Sequence, residues 1–279
     1  MLIGLAVFLS LAAAVSACFG CGFGIACLWA APLAFLGSFL TLFIIAFLFL
    51  WLMCALVDMD QPQEHDSKFY RVLTGLYIDA AMTILRMRVH KKGLEKVPKS
   101  GRFLLVCNHI NDLDPVTLMG CLKKSQLAFI SKRENDKKFL VGKLLHKIMG
   151  QPINRENDRE ALKTILNCIR LIKEDEVSIA VFPEGYTSMD GLLHPFRSGV
   201  FKIAQKAKVP VVVCTLRNTN KVFKNIAKLK PTDVYLNVLG VIRPEEYEGV
   251  TTVELGNRVH QMMAEDLGPD LCLPAEENT

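Results

Sequence analysis

Residues 102–122, RFLLVCNHINDLDPVTLMGCL, pass from an unbroken apolar run into a polar loop and then into an amphipathic stretch opening on Asp114-Pro115. The run Phe103 to Val106 does not alternate, as a strand with one wet face would, so it predicts a strand covered on both faces. Asp-Pro reads as a helix start: the carboxylate accepts from the free N–H groups of the first turn, and proline sits where no N–H is needed. A doubly covered strand leading into a helix belongs to a mixed, largely parallel α/β sheet flanked by helices. In such sheets ligands gather where strand ends meet helix starts. This particular loop carries His109, Asp112 and Asp114.

The pattern repeats along the chain. Further strands are predicted at 87–90, 127–131, 177–182, 211–216 and 234–241, and helices at 69–84, 115–122, 138–149, 157–173, 198–207 and 253–266. In the helix over 157–173, Leu162, Ile165, Leu166, Ile169 and Ile172 share one face.

Ahead of this domain, residues 1–57 contain no Asp, Glu, Lys or Arg, whereas one membrane span needs about 20 apolar residues. Gly20, Gly22, Gly24 and Pro32 punctuate the run, which predicts two transmembrane helices, 2–26 and 32–57, forming a hairpin. A secretory signal would show a basic start and a shorter apolar core of about 7–15 residues. Residues 58–66, DMDQPQEHD, read as a polar hinge, and 58–90 as hinge plus amphipathic connecting helix before an α/β domain over 91–279.

The formal net charge of +5 falls entirely after Val57, with a basic patch over 121–147. That points to acidic lipid head groups or phosphorylated ligands as partners, and not to nucleic acid. Nine scattered cysteines, odd in number and four of them in the apolar run, do not make a disulfide framework and imply a reducing compartment. Cys18 and Cys21 lack a second pair and predict apolar filler, with no metal site. Two spans return the chain to its starting side, so the expectation is an integral membrane protein with its α/β domain on the cytoplasmic side.

His109 and Asp114 are too far round a helix to meet on one, but a turn between them lets the carboxylate hold one imidazole nitrogen and leave the other basic. Such a base contributes about 10²–10⁴ in rate. Asp112 is a rival partner, and Cys107 reads as a buried strand residue. On its own the pattern is short, and a plain helix start beside a stray histidine reads the same way. A second loop, VFPEGYTSMDG over 181–191, places a Pro-Glu-Gly turn at a strand exit, where glycine permits close backbone approach and Glu184 can bond a hydroxylated substrate. Lys132 and Arg155, in FISKRE and GQPINRE, stand at two other strand exits with the charge and geometry for phosphate.

Taken in order, NHINDLD, GQPINR, FPEG, FRSGVFKIA and VPVVV, within residues 85–245, resemble the glycerolipid acyltransferase family, the lysophosphatidic acid acyltransferases. His109 and Glu184 stand 75 positions apart, a separation typical of that family. The resemblance implies a membrane-bound O-acyltransferase moving a fatty acyl group from a thioester to the hydroxyl of a lysophospholipid, foremost 1-acylglycerol-3-phosphate, to give phosphatidic acid. It implies His109 as base, Asp114 as its orienting partner, and Glu184, Gly185, Arg155, Lys132, Asn111 and Arg197 as acceptor-binding residues. No bound cofactor or metal is implied, acyl-CoA or acyl-carrier protein being a substrate, and the partners are membrane lipids, the lysophospholipid and the thioester. Backbone N–H groups near Asn108 or after Asp114 are the expected oxyanion donors.

Departures from the family pattern bear on the acceptor. Where the family reads Pro-Glu-Gly-Thr-Arg-Ser, this chain has Tyr186 and Thr187, so the arginine expected on the acceptor's phosphate is missing and Arg197 or Arg155 has to replace it. Asn111 stands where serine is common, and Val213 where a second proline is usual. A different lysolipid acceptor, a membrane-anchored hydrolase using the same pair on water, and a non-catalytic lipid-binding protein are the alternative readings.

Overall fold

The structure, a computed structural model, describes residues 1–188 and 190–273. Helices α1 (Leu2–Gly20) and α2 (Cys27–Ala55) lie side by side, apolar on every face, with Phe8, Trp29 and Phe47 among many large side chains left exposed. By length and composition both can cross a membrane. A soluble helix would bury one stripe and wet the other. The second helix starts at Cys27 and not at Pro32, which sits inside it. A proline there removes one N–H early in the helix and leaves the rest of the ladder intact.

Helix α3 (Lys68–Ile84) fastens the hairpin to the rest of the chain. The Tyr70 and Tyr77 hydroxyls donate to the carbonyls of Met53 and Ala46 on α2, at 2.9 and 2.5 Å, and Leu73 packs with Leu50 and Cys54. Phe69 and Val72 of this helix remain exposed. The hinge is tied down as well. Asp66 takes a forked pair from Arg71, whose guanidinium also donates to the carbonyls of Leu127 and Ile148.

The sheet has seven strands: β1 (Met87–Lys92), β2 (Leu104–Cys107), β3 (Leu127–Lys132), β4 (Gln151–Ile153), β5 (Ser178–Val181), β6 (Val211–Arg217) and β7 (Thr232–Ile242). Their spatial order is β1-β7-β6-β2-β5-β3-β4, with every pair parallel except β6 and β7. The central strand β2 is buried throughout, and alternate residues feed two cores. Leu104 and Val106 join α6 (Asp158–Lys173), α7 (Lys202–Ala207) and α9 (Thr252–Leu267) on one face; Leu105 and Cys107 join α4 (Asp114–Cys121) on the other.

Strand β4, the short apolar stretch before Arg155, was given no bounds among the predicted strands because three residues including Pro152 show no period; at the sheet edge, proline's missing donor is harmless. The short α8 (Val222–Ile226) was missed for the same want of length, and the predicted helix at 198–207 is a 3-10 turn, Ser198–Phe201, running into α7. On α6 the buried face is rotated from the predicted one. Cys168 and Leu171 are inside, and Leu162 and Leu166 are half exposed. Because β2, β3, β4 and β5 run parallel, their C-terminal ends open on one side. Lys132 ends β3, and the loops that leave the other three carry His109, Arg155 and Glu184. Helix α5 (Phe139–Lys147) lies close by, against α2 and α3.

Candidate active site

At the end of β2 the Asn108 amide is buried and bridges β6, accepting from the Leu216 N–H at 2.7 Å and donating to the Leu216 carbonyl at 3.0 Å. The chain then turns through His109 to α4. Asp114 is the first residue of that helix and not its cap: Leu113 precedes it, with no side-chain capping bond. Its carboxylate is instead turned back into the loop. Oδ2 accepts from the Ile110 N–H at 2.7 Å, the Asn111 N–H at 2.8 Å and His109 Nδ1 at 2.9 Å, while Oδ1 accepts from the Thr219 hydroxyl at 2.5 Å. Asp114 is 0% exposed.

An acceptor-only carboxylate at Nδ1 requires that nitrogen to carry the proton, which leaves Nε2 with its lone pair. The ring is stacked on Phe182, with centroids 4.1 Å apart, and Nε2 faces the Thr187 hydroxyl at 2.9 Å. Asp112 has no bond to His109; it is exposed and faces the adjoining cavity. Two expectations change here. Asn111 does not line the cavity; its side chain accepts from the Leu113 N–H at 3.1 Å and shapes the turn. The N–H groups of His109, Ile110 and Asn111 are all held by carboxylates, so they are not free as oxyanion donors.

Glu184 also lies elsewhere than the sequence suggested. It is 1% exposed and outside the cavity lining, and its two oxygens accept from the His109 N–H at 2.7 Å and the His194 N–H at 3.0 Å. Ser188 completes the clamp, donating its N–H and hydroxyl to the His109 carbonyl. Glu184 therefore fastens the histidine loop to the Pro-Glu-Gly loop instead of facing the cavity.

Burial pushes the Glu184 carboxyl up to about 7, against the pull of its two N–H donors, which favour the charged form. The folded protein thus holds this proton more tightly than the unfolded chain. Its contribution is full below the ordinary value of 4.5 and is lost as pH rises through about 7. At roughly 1.4 kcal/mol per pH unit, the wild type should lose on the order of 3 kcal/mol more than Glu184→Gln across that window. Urea unfolding of both proteins at several pH values measures it; parallel pH dependences would show that the carboxyl is not perturbed.

The strand exits open on a cavity of about 860 Å³. His109 and Thr187 face it, as do the cations Lys132, Arg155 and Arg197, and the lining also includes the apolar Met119, Phe129, Leu144 and Leu162. Burial, then the nearby Arg197, lowers the pKa of Arg155 from its ordinary value. Among the described residues neither arginine has a carboxylate partner in an ion pair. Gly185 also lines the cavity and has φ +84; a Cβ there would sit 2.8 Å from Arg197 Nε. Glycine thus permits both the left-handed backbone and the seat of Arg197 across it.

Sequence reasoning did not single out Thr219, Phe182, or Thr187 as a partner of the histidine, nor Lys202; Lys138, which faces the cavity as Lys202 does, belongs to the basic patch over 121–147. Thr187 did leave a signal, as a departure from the family pattern. Among the described residues no group of three or more His, Cys, Asp or Glu is placed to hold a metal. Cys107 is fully buried, and burial raises its thiol well above the ordinary range, so it supplies no thiolate.

Residues 88–217 match the family model described as Acyltransferase. Among curated proteins, the 1-acyl-sn-glycerol-3-phosphate acyltransferase of Cocos nucifera is 24% identical over 230 residues, covering 82% of this chain and 73% of that protein. The chloroplastic 1-acyl-sn-glycerol-3-phosphate acyltransferase BAT2 of Brassica napus is 36% identical over 161 residues, 57% of this chain and 45% of its own length. The Bacillus subtilis enzyme of the same name is 30% identical over 126 residues, 45% of this chain and 60% of that one. The chain thus spans less than two thirds of the last two relatives. Among solved structures, the 1-acyl-sn-glycerophosphate (LPA) acyltransferase PlsC of Thermotoga maritima shares the fold, with a TM-score of 0.61 and 24% identity over 78% of this chain and 86% of that one. The span that matches the Acyltransferase family model runs from β1 to the end of β6 and contains His109, Asp114 and all the cavity cations.

Proposed function

We propose that this protein transfers a fatty acyl group from a thioester to the free hydroxyl of 1-acylglycerol-3-phosphate, giving phosphatidic acid. The observation that carries the reading is one cavity that presents a His–Asp base, two arginines without carboxylate partners among the described residues, and an apolar lining. A thioester carbonyl is already activated, so the protein has to position the reactants and remove a hydroxyl proton. In the step that forms product, the acceptor hydroxyl gives its proton to His109 Nε2 as its oxygen attacks the acyl carbonyl. Asp114, bonded to Nδ1, stabilises the imidazolium so formed.

The acceptor's phosphate fits Arg155 and Arg197, with Lys132 beside them. Arg197, laid over Gly185, takes the place of the arginine that the family carries where this chain has Thr187. The acyl chains fit the apolar lining, whose Leu144 also packs at the foot of the hairpin. Lipid entering from a bilayer would meet the cavity there. On this reading α1 and α2 anchor the enzyme in the membrane, with the domain on the cytoplasmic side where its five free cysteines stay reduced.

The purified full-length protein in detergent, given a labelled acyl-CoA or acyl-carrier protein, should acylate lysophosphatidate in preference to lysophosphatidylcholine. Arg155→Ala and Arg197→Ala should each raise KM for lysophosphatidate by about 10–100-fold, the loss of a charge-assisted bond, with a smaller change in kcat. Free fatty acid released equally fast without acceptor would make it a hydrolase. No turnover with any lysolipid would favour a lipid-binding protein.

A further inference from the structure

Two departures from the family pattern in the Pro-Glu-Gly loop belong together. Tyr186 stands where the family reads threonine and Thr187 where it reads arginine, so a long side chain has arrived one position before the place that lost a cation. Arg197 reaches this loop from its returning arm. Its N–H donates to the Pro183 carbonyl at 2.8 Å, and its side chain crosses Gly185. An arginine at position 187 would move with Gly185 on the outgoing arm, whereas one on the returning arm is placed only as well as the two arms are held in register.

The Tyr186 hydroxyl ties the arms together. It meets His194 Nδ1 at 2.7 Å, three positions before Arg197, and Asp190 meets His194 Nε2 at 2.9 and 3.1 Å. An acceptor-only carboxylate requires Nε2 to carry the proton, so Nδ1 offers a lone pair and the phenol donates to it. The His194 N–H donates to Glu184 on the outgoing arm at 3.0 Å. His194 is thus held through both its backbone and its ring. The residues between it and Arg197 pass that hold along: Pro195 has a fixed φ, and Phe196 packs edge-on against His260 with ring centroids 4.8 Å apart. Tyr186, His194 and Asp190 all lie outside the lining of the His109 cavity.

We propose that Tyr186, His194 and Asp190 are positioning residues that set Arg197 for the acceptor's phosphate, and so fix the preference for a phosphorylated acceptor without touching it. The inference rests on the acyl-transfer reading above. A broken tie then loosens the hold on phosphate and leaves proton transfer at His109 as it was. A merely structural role would lower stability, or slow every acceptor alike.

The test compares lysophosphatidate with 1-monoacylglycerol of the same chain length, which lacks the phosphate, on the full-length protein in detergent. Tyr186→Phe removes one hydrogen bond and keeps the ring. It should raise KM for lysophosphatidate about three- to tenfold, with kcat and the rate on monoacylglycerol within about twofold of wild type. His194→Ala keeps the backbone N–H to Glu184 and should raise KM further, up to the effect of Arg197→Ala. In an Arg197→Ala background neither change should add to KM, because residues that act through one group are not additive. Unchanged KM in both single variants, an equal loss on both acceptors, or a full additional effect in the Arg197→Ala background would each overturn the proposal. A wild type that turns over neither acceptor would bring down the acyl-transfer reading itself. Calorimetric titration with lysophosphatidate then still decides the brace: binding weakened about three- to tenfold by Tyr186→Phe supports it, and unchanged binding overturns it.

Discussion

Replacing His109 by alanine should lower acyl transfer by about 10²–10⁴-fold and leave KM for lysophosphatidate within a few-fold of wild type. The two effects separate because the base and the cations occupy different loops. His109 leaves β2, whereas Lys132 ends β3 and Arg155 and Arg197 follow β4 and β5, and each reaches the cavity independently of the imidazole. The truncation removes the acceptor for the hydroxyl proton and the stack on Phe182, a contact whose loss costs about 0.5–1.5 kcal/mol of stability. It does not undo the loop. The His109 backbone N–H still donates to Glu184, its carbonyl still accepts from Ser188, and Asp114 keeps the donors of Ile110, Asn111 and Thr219. Steady-state kinetics with a labelled donor, together with a thermal melt, reads both quantities. A folded His109→Ala protein that kept a tenth of the rate would show that some other group takes the proton.

What the sequence disclosed here follows the distance over which each interaction acts. Strand β2 and helix α4 were legible because a doubly covered strand writes an unbroken apolar run and Asp-Pro marks a helix start. The pairing of His109 with Asp114 was legible because one turn of loop brings them together. The remainder of the network comes from far along the chain. Thr219 lies 105 positions from Asp114, and Thr187 lies 78 from His109. No local pattern specifies such meetings; they are set by which loops the parallel strands deliver to one side of the sheet.

Glu184 shows the opposite limit. A carboxylate after a strand and before a glycine reads as a ligand-facing group, since exposed acids are the rule. Whether it faces the cavity or the protein depends on two backbone N–H groups, those of His109 and His194, that this stretch of sequence does not contain. Arg197 was foreseen as a replacement for the missing arginine by charge alone. Its seat over Gly185 is a matter of contact between loops.

The second large effect is expected at Asp114, where two substitutions should separate chemistry from folding. In Asp114→Asn the three donors converging on Oδ2, from His109 Nδ1, Ile110 and Asn111, orient the amide with its oxygen toward them. The amide nitrogen then faces the Thr219 hydroxyl, which can turn from donor to acceptor. Every bond is kept and the imidazole keeps its tautomer, so the protein should fold with little loss of stability. What disappears is the negative charge opposite the imidazolium that forms whenever Nε2 takes a proton, and transfer should fall by about 10²–10⁴-fold. In Asp114→Ala the same three donors lose their acceptor in a place water does not reach, at about 1–3 kcal/mol each, so the loss should appear as several kcal/mol of stability before any assay is possible. Chemical unfolding and initial rates on the two variants distinguish these expectations. An asparagine variant within threefold of wild-type rate would mean that the carboxylate only braces the loop, and that the positive charge on His109 is either stabilised elsewhere or never formed.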